Sequence, residues 1–117
     1  MRVLLVDDHE DTLELLSELL RDVGADVRGA ASAADALAVL DGFSPHVLVT
    51  DLRLPDGDGG ELVRTVRSRD GFTSLPAVAL TGDSRPPDEC FHRRLMKPVE
   101  PLLLVATLRQ ACRSITP

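Results

Sequence analysis

Three aspartates follow apolar runs: Asp7 and Asp8 come after Val3-Leu4-Leu5-Val6, and Asp51 comes after Val47-Leu48-Val49-Thr50. Carboxylates gathered at one edge of a sheet repel one another unless a cation sits between them, so this placement points to a site for a hard metal ion. Thr81 ends the run Ala77-Val78-Ala79-Leu80, and Lys97 ends another just before Pro98. A carboxylate acceptor, two acids to hold a divalent cation, a hydroxyl donor and an ammonium are the parts that stabilise a phosphoryl group in transfer.

Short apolar runs alternate with segments of helical period, which predicts strands at 2–6, 26–30, 46–50, 76–80 and 92–96. The first, third and fourth are continuously apolar, as in a parallel sheet covered on both faces. Between them, Leu13, Leu16, Leu20 and Val23 form one stripe of an amphipathic helix, with Glu14 and Glu18 opposite and a stop at Gly24. Ser32 reads as the N-cap of a second helix carrying Ala33, Leu37 and Leu40 and ending near Gly42. A third begins around Gly59 with Leu62, Val63 and Val66, and Gly57 and Gly59 mark the turn before it. Right-handed crossovers make this a doubly wound, three-layer α/β/α domain, whose ligand crevice lies beyond the carboxyl ends of the strands. All five polar residues fall there.

The bulk properties suit one domain over residues 1–117. A formal net charge of -6 and a pI near 4.9, with no basic run and no aromatic stacking set, argue against direct nucleic-acid binding. No apolar stretch approaches the ~20 residues of a membrane span, and a strand begins at once where a leader would stand, so the expected location is the cytoplasm. Cys90 and Cys112 lack metal-type spacing and a redox motif and read as reduced thiols. His9, His46 and His92 share no ligand spacing; each is expected to face solvent, and none to enter the chemistry.

The segments VDDHE at 6–10, TDLRLPDGDG at 50–59, LTGD at 80–83 and MKP at 96–98 together resemble the CheY-like receiver domains of two-component response regulators, over essentially the whole chain. The resemblance implies a flavodoxin-like five-stranded parallel sheet in the order 2-1-3-4-5, an order taken from the family. It implies that Asp51 accepts a phosphoryl group from a phosphohistidine on a sensor histidine kinase or phosphotransfer protein. Asp8 would bind Mg²⁺ (or Mn²⁺) directly and Asp7 mainly through water, with Asp51 and the backbone carbonyl of Arg53 completing the protein's share of the ligands. Lys97 would pair with Asp51 before transfer and with a phosphoryl oxygen afterwards, while the Thr81 hydroxyl donates to another oxygen. The Lys97-Pro98 bond would be cis. Self-phosphorylation and autodephosphorylation, not turnover of a substrate, would be the only chemistry, and the output a phosphorylation-dependent contact with a downstream protein.

Departures from the family pattern lie between Thr81 and Lys97, sixteen positions apart (97 − 81), shorter than usual by about six residues, more than one helical turn. The fourth helix is therefore expected to be truncated or replaced by a loop over 82–90, where Pro86 and Pro87 stand side by side. Arg94 occupies a position often aromatic in the family, which puts the usual dimer across helix four, strand five and helix five in doubt. Leu102 and Leu103 stand where polar residues are usual; the expectation is that one of them covers the gap left by the short segment, with a partner surface as the other reading. Arg53 and Asp83 are placed to pair across the site and limit water access. Such a receiver would act stand-alone or as the receiver of a hybrid sensor kinase; the alternative function is an atypical receiver serving as a phosphorylation-insensitive protein docking module. An aspartyl-phosphate phosphatase is disfavoured, because position 53 is arginine where that class wants an acid. No helix-turn-helix segment is present.

Overall fold

In the computed structural model, residues 1–82 and 89–113 are described. Strands β1 (Arg2–Val6), β2 (Asp26–Ala30), β3 (Val47–Asp51), β6 (Ala77–Thr81) and β7 (Arg93–Met96) form one sheet, and β4 (Arg53–Leu54) pairs with β5 (Gly57–Asp58) in a small antiparallel hairpin. The sheet is all-parallel in the order β2-β1-β3-β6-β7, which is the expected order once the hairpin strands are set aside. Helices α1 (Glu10–Asp22), α2 (Ala33–Val39), α3 (Gly59–Arg67) and α4 (Pro101–Arg113) flank it.

Successive side chains of a strand point to opposite faces, and both faces here are apolar. Val3, Leu5, Val47, Val49, Val78 and Leu80 pack with Leu16 and Leu20 of α1 and Leu104 and Leu108 of α4. On the other face Leu4, Val6, Leu48 and Ala77 meet Ala36 of α2 and Leu62, Val63 and Val66 of α3. That double cover explains why β1, β3 and β6 read as unbroken apolar runs. Val23, expected on the buried stripe of α1, is instead its C-cap and 45% exposed; the chain turns there, with Gly24 at φ 95°. Ser32 caps α2 as expected, its hydroxyl accepting from the Asp35 amide at 3.1 Å.

Between β6 and β7, Gly82 is a bend and Glu89-Cys90 a turn, and no helix occurs among the described residues; Asp83, Pro86 and Pro87 lie outside them. Arg67 of α3 ties this region down, donating to the Leu75 carbonyl from Nε (3.0 Å) and Nη2 (2.8 Å) and to the Cys90 carbonyl from Nη1 (2.6 Å). Neither cysteine forms a disulfide and both are half-buried, and burial raises both thiols above their ordinary pKa, which keeps them protonated.

His46 and His92 are exposed as residues, yet each extends a strand ladder. The Arg2 amide donates to His46 Nδ1 at 2.8 Å while the His46 amide donates to the Arg2 carbonyl. Ala77 and His92 repeat the pattern, with the Ala77 amide 3.3 Å from Nδ1. A protonated ring has no acceptor to offer. Burial lowers both imidazole pKa values from 6.5, helped by Arg2 and the amino terminus at His46 and by Arg67 and Arg93 at His92. Because the unfolded chain takes up these protons first, their contribution to stability is full above about pH 6.5 and is lost as pH falls through the lowered folded values. Urea unfolding midpoints should decline across that window, and the His46→Asn/His92→Asn double variant should flatten the decline.

Candidate functional site

The site is set by strand register. Val6 lies opposite Thr50, so Asp7 and Asp51 come level at the carboxyl edge; Asp51 lies opposite Leu80, and Thr81 opposite Met96, which puts Thr81 and Lys97 at the neighbouring strand ends. Asp51 and Thr81 are the last residues of their strands, one position further in than the sequence boundaries predicted. The difference matters: both side chains are held by a paired backbone and are buried, at 8% and 2% exposure.

Lys97 Nζ donates to Asp7 Oδ2 at 2.8 Å and to Asp51 Oδ2 at 2.9 Å. The Lys97 amide donates to the Thr81 carbonyl at 2.8 Å, and the Lys97-Pro98 bond is cis. Burial acts to lower the Lys97 pKa, but its bonds to Asp7 and Asp51 and their charges outweigh it, and the ammonium is held above its usual value of 10.5. Asp7 is fully buried, and its other oxygen accepts from the His9 amide at 2.9 Å. Asp8 is more open, with its side chain 39% exposed.

Ligand atoms of Asp7, Asp8, His9 and Asp51 all lie within 4.8 Å of one another. Three carboxylates against one ammonium leave two net negative charges, the complement of a divalent cation, and the oxygens suit a hard one such as Mg²⁺. The donor set therefore fits the metal that the sequence motifs imply. Lys97 and His9 already occupy Asp7 on both sides, so Asp8 and Asp51 carry the accessible oxygens.

The loop after Asp51 is shaped by its own contacts. The Arg53 amide donates to Asp51 Oδ1 at 3.3 Å, and Arg53 and Leu54 pair back against Asp58 and Gly57. Gly57 has φ 152°, which side-chain-bearing residues rarely adopt. At the hairpin, Asp56 reaches across to α2 and accepts from the Ala33 and Ala34 amides at 2.9 and 3.0 Å. Those amide bonds hold the Asp56 carboxyl below its ordinary pKa. Asp58 caps α3 through the Glu61 amide at 2.9 Å. Neither the hairpin nor the Asp56 bridge was legible in the sequence; an acid beside Gly57 signals a turn but not what it reaches.

Gly59 is required for space. A Cβ there would collide with the Asp51 carbonyl oxygen and crowd Thr50 Cγ2 at 3.2 Å. The obstacle is backbone, so Gly59→Ala must push α3 away from the strand end that carries Asp51. An overpacking cost of about 1–3 kcal/mol is expected in urea unfolding, with weakened Mg²⁺ affinity. Wild-type values for both would mean that α3 yields without disturbing the site.

One expectation is extended here and one is corrected. His9 is solvent-exposed as expected, at 67%, yet its Nδ1 also lies 3.0 Å from Asp7 Oδ1 and 3.3 Å from Asp8 Oδ1, a contact the sequence did not indicate. Its position just before α1 would normally supply a side-chain cap, and it supplies none. Leu102 and Leu103, one of which was expected to cover the shortened segment, are 78% and 52% exposed. Their amides are fixed by Glu100, which accepts them at 3.2 and 2.8 Å at the start of α4, and this presents both side chains outward. Asp83, the expected partner of Arg53, lies outside the described residues. Arg94 is exposed.

Comparison with known proteins agrees with this architecture. Residues 3–109 match the family model described as the response regulator receiver domain. An uncharacterised 14.6 kDa protein of Leptolyngbya boryana is 40% identical over 123 aligned positions, covering 100% of this chain and 94% of that protein. The hybrid signal transduction histidine kinase L of Dictyostelium discoideum is 39% identical over 82 positions, 68% of this chain but 5% of the kinase. Among solved structures, the chemotaxis response regulator CheY4 of Vibrio cholerae superposes with a TM-score of 0.85 at 29% identity, covering 94% of this chain and 97% of that one.

Proposed function

The chain belongs to the response regulator receiver domain family of two-component signalling, and on that premise we propose that it is a phosphoryl-accepting switch with Asp51 as acceptor. The reading extends to a single domain over residues 1–117 acting in the cytoplasm; among the described residues no helix is long and apolar enough to cross a membrane. Receivers are signalling modules rather than turnover enzymes. The observation that carries the proposal is the Lys97 ammonium held between Asp7 and Asp51, with the more open Asp8 beside them.

A phosphohistidine on a sensor kinase or phosphotransfer protein is the donor. An Asp51 carboxylate oxygen attacks phosphorus, forming an O–P bond as the P–N bond breaks, and the electron pair returns to the partner's imidazole nitrogen. Asp8 and Asp51, with the Arg53 carbonyl and with Asp7 through water, would hold a magnesium ion that supplies positive charge to the phosphoryl oxygens. Lys97 follows the charge: once Asp51 is an acyl phosphate its carboxylate charge is gone, and the ammonium turns to a phosphoryl oxygen. The Thr81 hydroxyl donates to another, and phosphorylation is thereby read at two strand ends. A downstream protein then recognises the altered surface.

Incubation with acetyl phosphate and Mg²⁺ should add one phosphoryl group to the intact mass, and omission of Mg²⁺ should prevent it. Mg²⁺ binding without any mass gain would overturn the switch and favour a phosphorylation-insensitive docking module, for which exposed Leu15, Leu102 and Leu103 offer the contact surface.

A further inference from the structure

The geometry points to His9 as a nitrogen ligand that shifts the metal preference of the acidic site from Mg²⁺ toward imidazole-binding divalent ions such as Co²⁺. The inference rests on the metal-site reading above and adds to it a specificity-determining residue.

Three observations carry it. First, His9 stands at the N-cap of α1 in an extended conformation and makes no side-chain cap bond, so the helix start gives no reason for an imidazole. Second, although the side chain is 67% exposed and free to point into solvent, its Nδ1 lies between Asp7 Oδ1 and Asp8 Oδ1. Third, its ligand atom is within 4.8 Å of those of Asp7, Asp8 and Asp51, so a small contraction gathers all four donors about one ion.

The chemistry separates ions by class. Carboxylate and carbonyl oxygens suit Mg²⁺, which dehydrates reluctantly and gains little from nitrogen. Imidazole suits later first-row ions, for which one nitrogen among oxygens adds affinity. Without a divalent ion, His9 holds Asp7 and Asp8 in place. With one bound, the same ring, carrying its proton on Nε2, offers Nδ1 to the metal alongside the Asp8 and Asp51 oxygens. An asparagine at this position has an oxygen in reach and no imidazole.

Isothermal titration of the full chain with Mg²⁺ and with Co²⁺ tests this, together with the visible absorption of bound Co²⁺, which reports nitrogen in the coordination sphere. In His9→Asn the Co²⁺ affinity should fall about tenfold or more, with Mg²⁺ affinity changed by less than about twofold and the Co²⁺ spectrum altered. Asp8→Asn should abolish the tight Co²⁺ site. An unchanged Co²⁺-to-Mg²⁺ ratio in His9→Asn, or Co²⁺ binding that survives Asp8→Asn, would overturn the role of His9 alone. Failure of the wild type to bind either ion would instead remove the metal-site reading beneath it.

Discussion

Asp51→Asn is expected to take up no phosphoryl group from acetyl phosphate under conditions where the wild type should gain one, as read by intact mass. An amide oxygen of the same shape accepts the Lys97 bond but lacks the charge that makes a carboxylate a nucleophile. Folding should survive the change. Asp7, Asp51 and Lys97 together carry one net negative charge in a mostly buried setting. Asparagine makes that group neutral, so the thermal midpoint without metal should equal or exceed the wild-type value. Mg²⁺ affinity should drop by about tenfold or more, because the ion loses one of its two accessible carboxylates. The control that matters is Asp8, the more exposed acid in the cluster. A mass gain retained in Asp51→Asn and mapped by peptide sequencing to Asp8 would move the acceptor one strand over.

Lys97→Ala separates the two duties of the ammonium. Nζ sits within 2.9 Å of both buried carboxylates, and its removal leaves them facing each other uncompensated. Removing one partner of a buried ion pair is strongly destabilising, here about 3 kcal/mol in the metal-free protein. A divalent cation then becomes the only counter-charge, and no ammonium competes for Asp51. Mg²⁺ should therefore bind more tightly than in the wild type and restore most of the lost stability. Phosphoryl uptake should move the opposite way, slowing about a hundredfold, because a donor aimed at the developing charge is gone. Tighter metal with slower transfer is the signature to seek by titration and timed mass spectrometry. Weaker metal together with slower transfer would mean that Lys97 mainly props the strand ends, and that its charge is secondary.

Much of the scaffold was readable because its causes are local. Alternate-face burial makes β1, β3 and β6 continuous apolar runs, Ser32 caps where a cap residue should, and the spacing of Leu62, Val63 and Val66 puts them on one face of α3. Errors arose where a pattern ends and a neighbour decides. Val23 fits the helical period but falls on the turn. Leu102 and Leu103 look like core by composition, yet Glu100 fixes the start of α4 so that they face outward.

Local hydrophobic patterning marks strand ends, so the strands, their carboxyl edge and the identity of the acids, hydroxyl and ammonium gathered there were legible in the residues, while the strand order came from the family resemblance. Tertiary structure alone decided how those groups share charge. Lys97 meets Asp7 and Asp51 across 90 and 46 positions of chain, and Asp56 reaches α2 across 23. Gly59 is needed because it packs on the Asp51 carbonyl. His9 joins the acids only because its backbone, extended before α1, turns the ring inward. Periodicity reports which face a residue occupies; which partner it finds there depends on register and on the direction of the side chain, and both are fixed only when the strands come together.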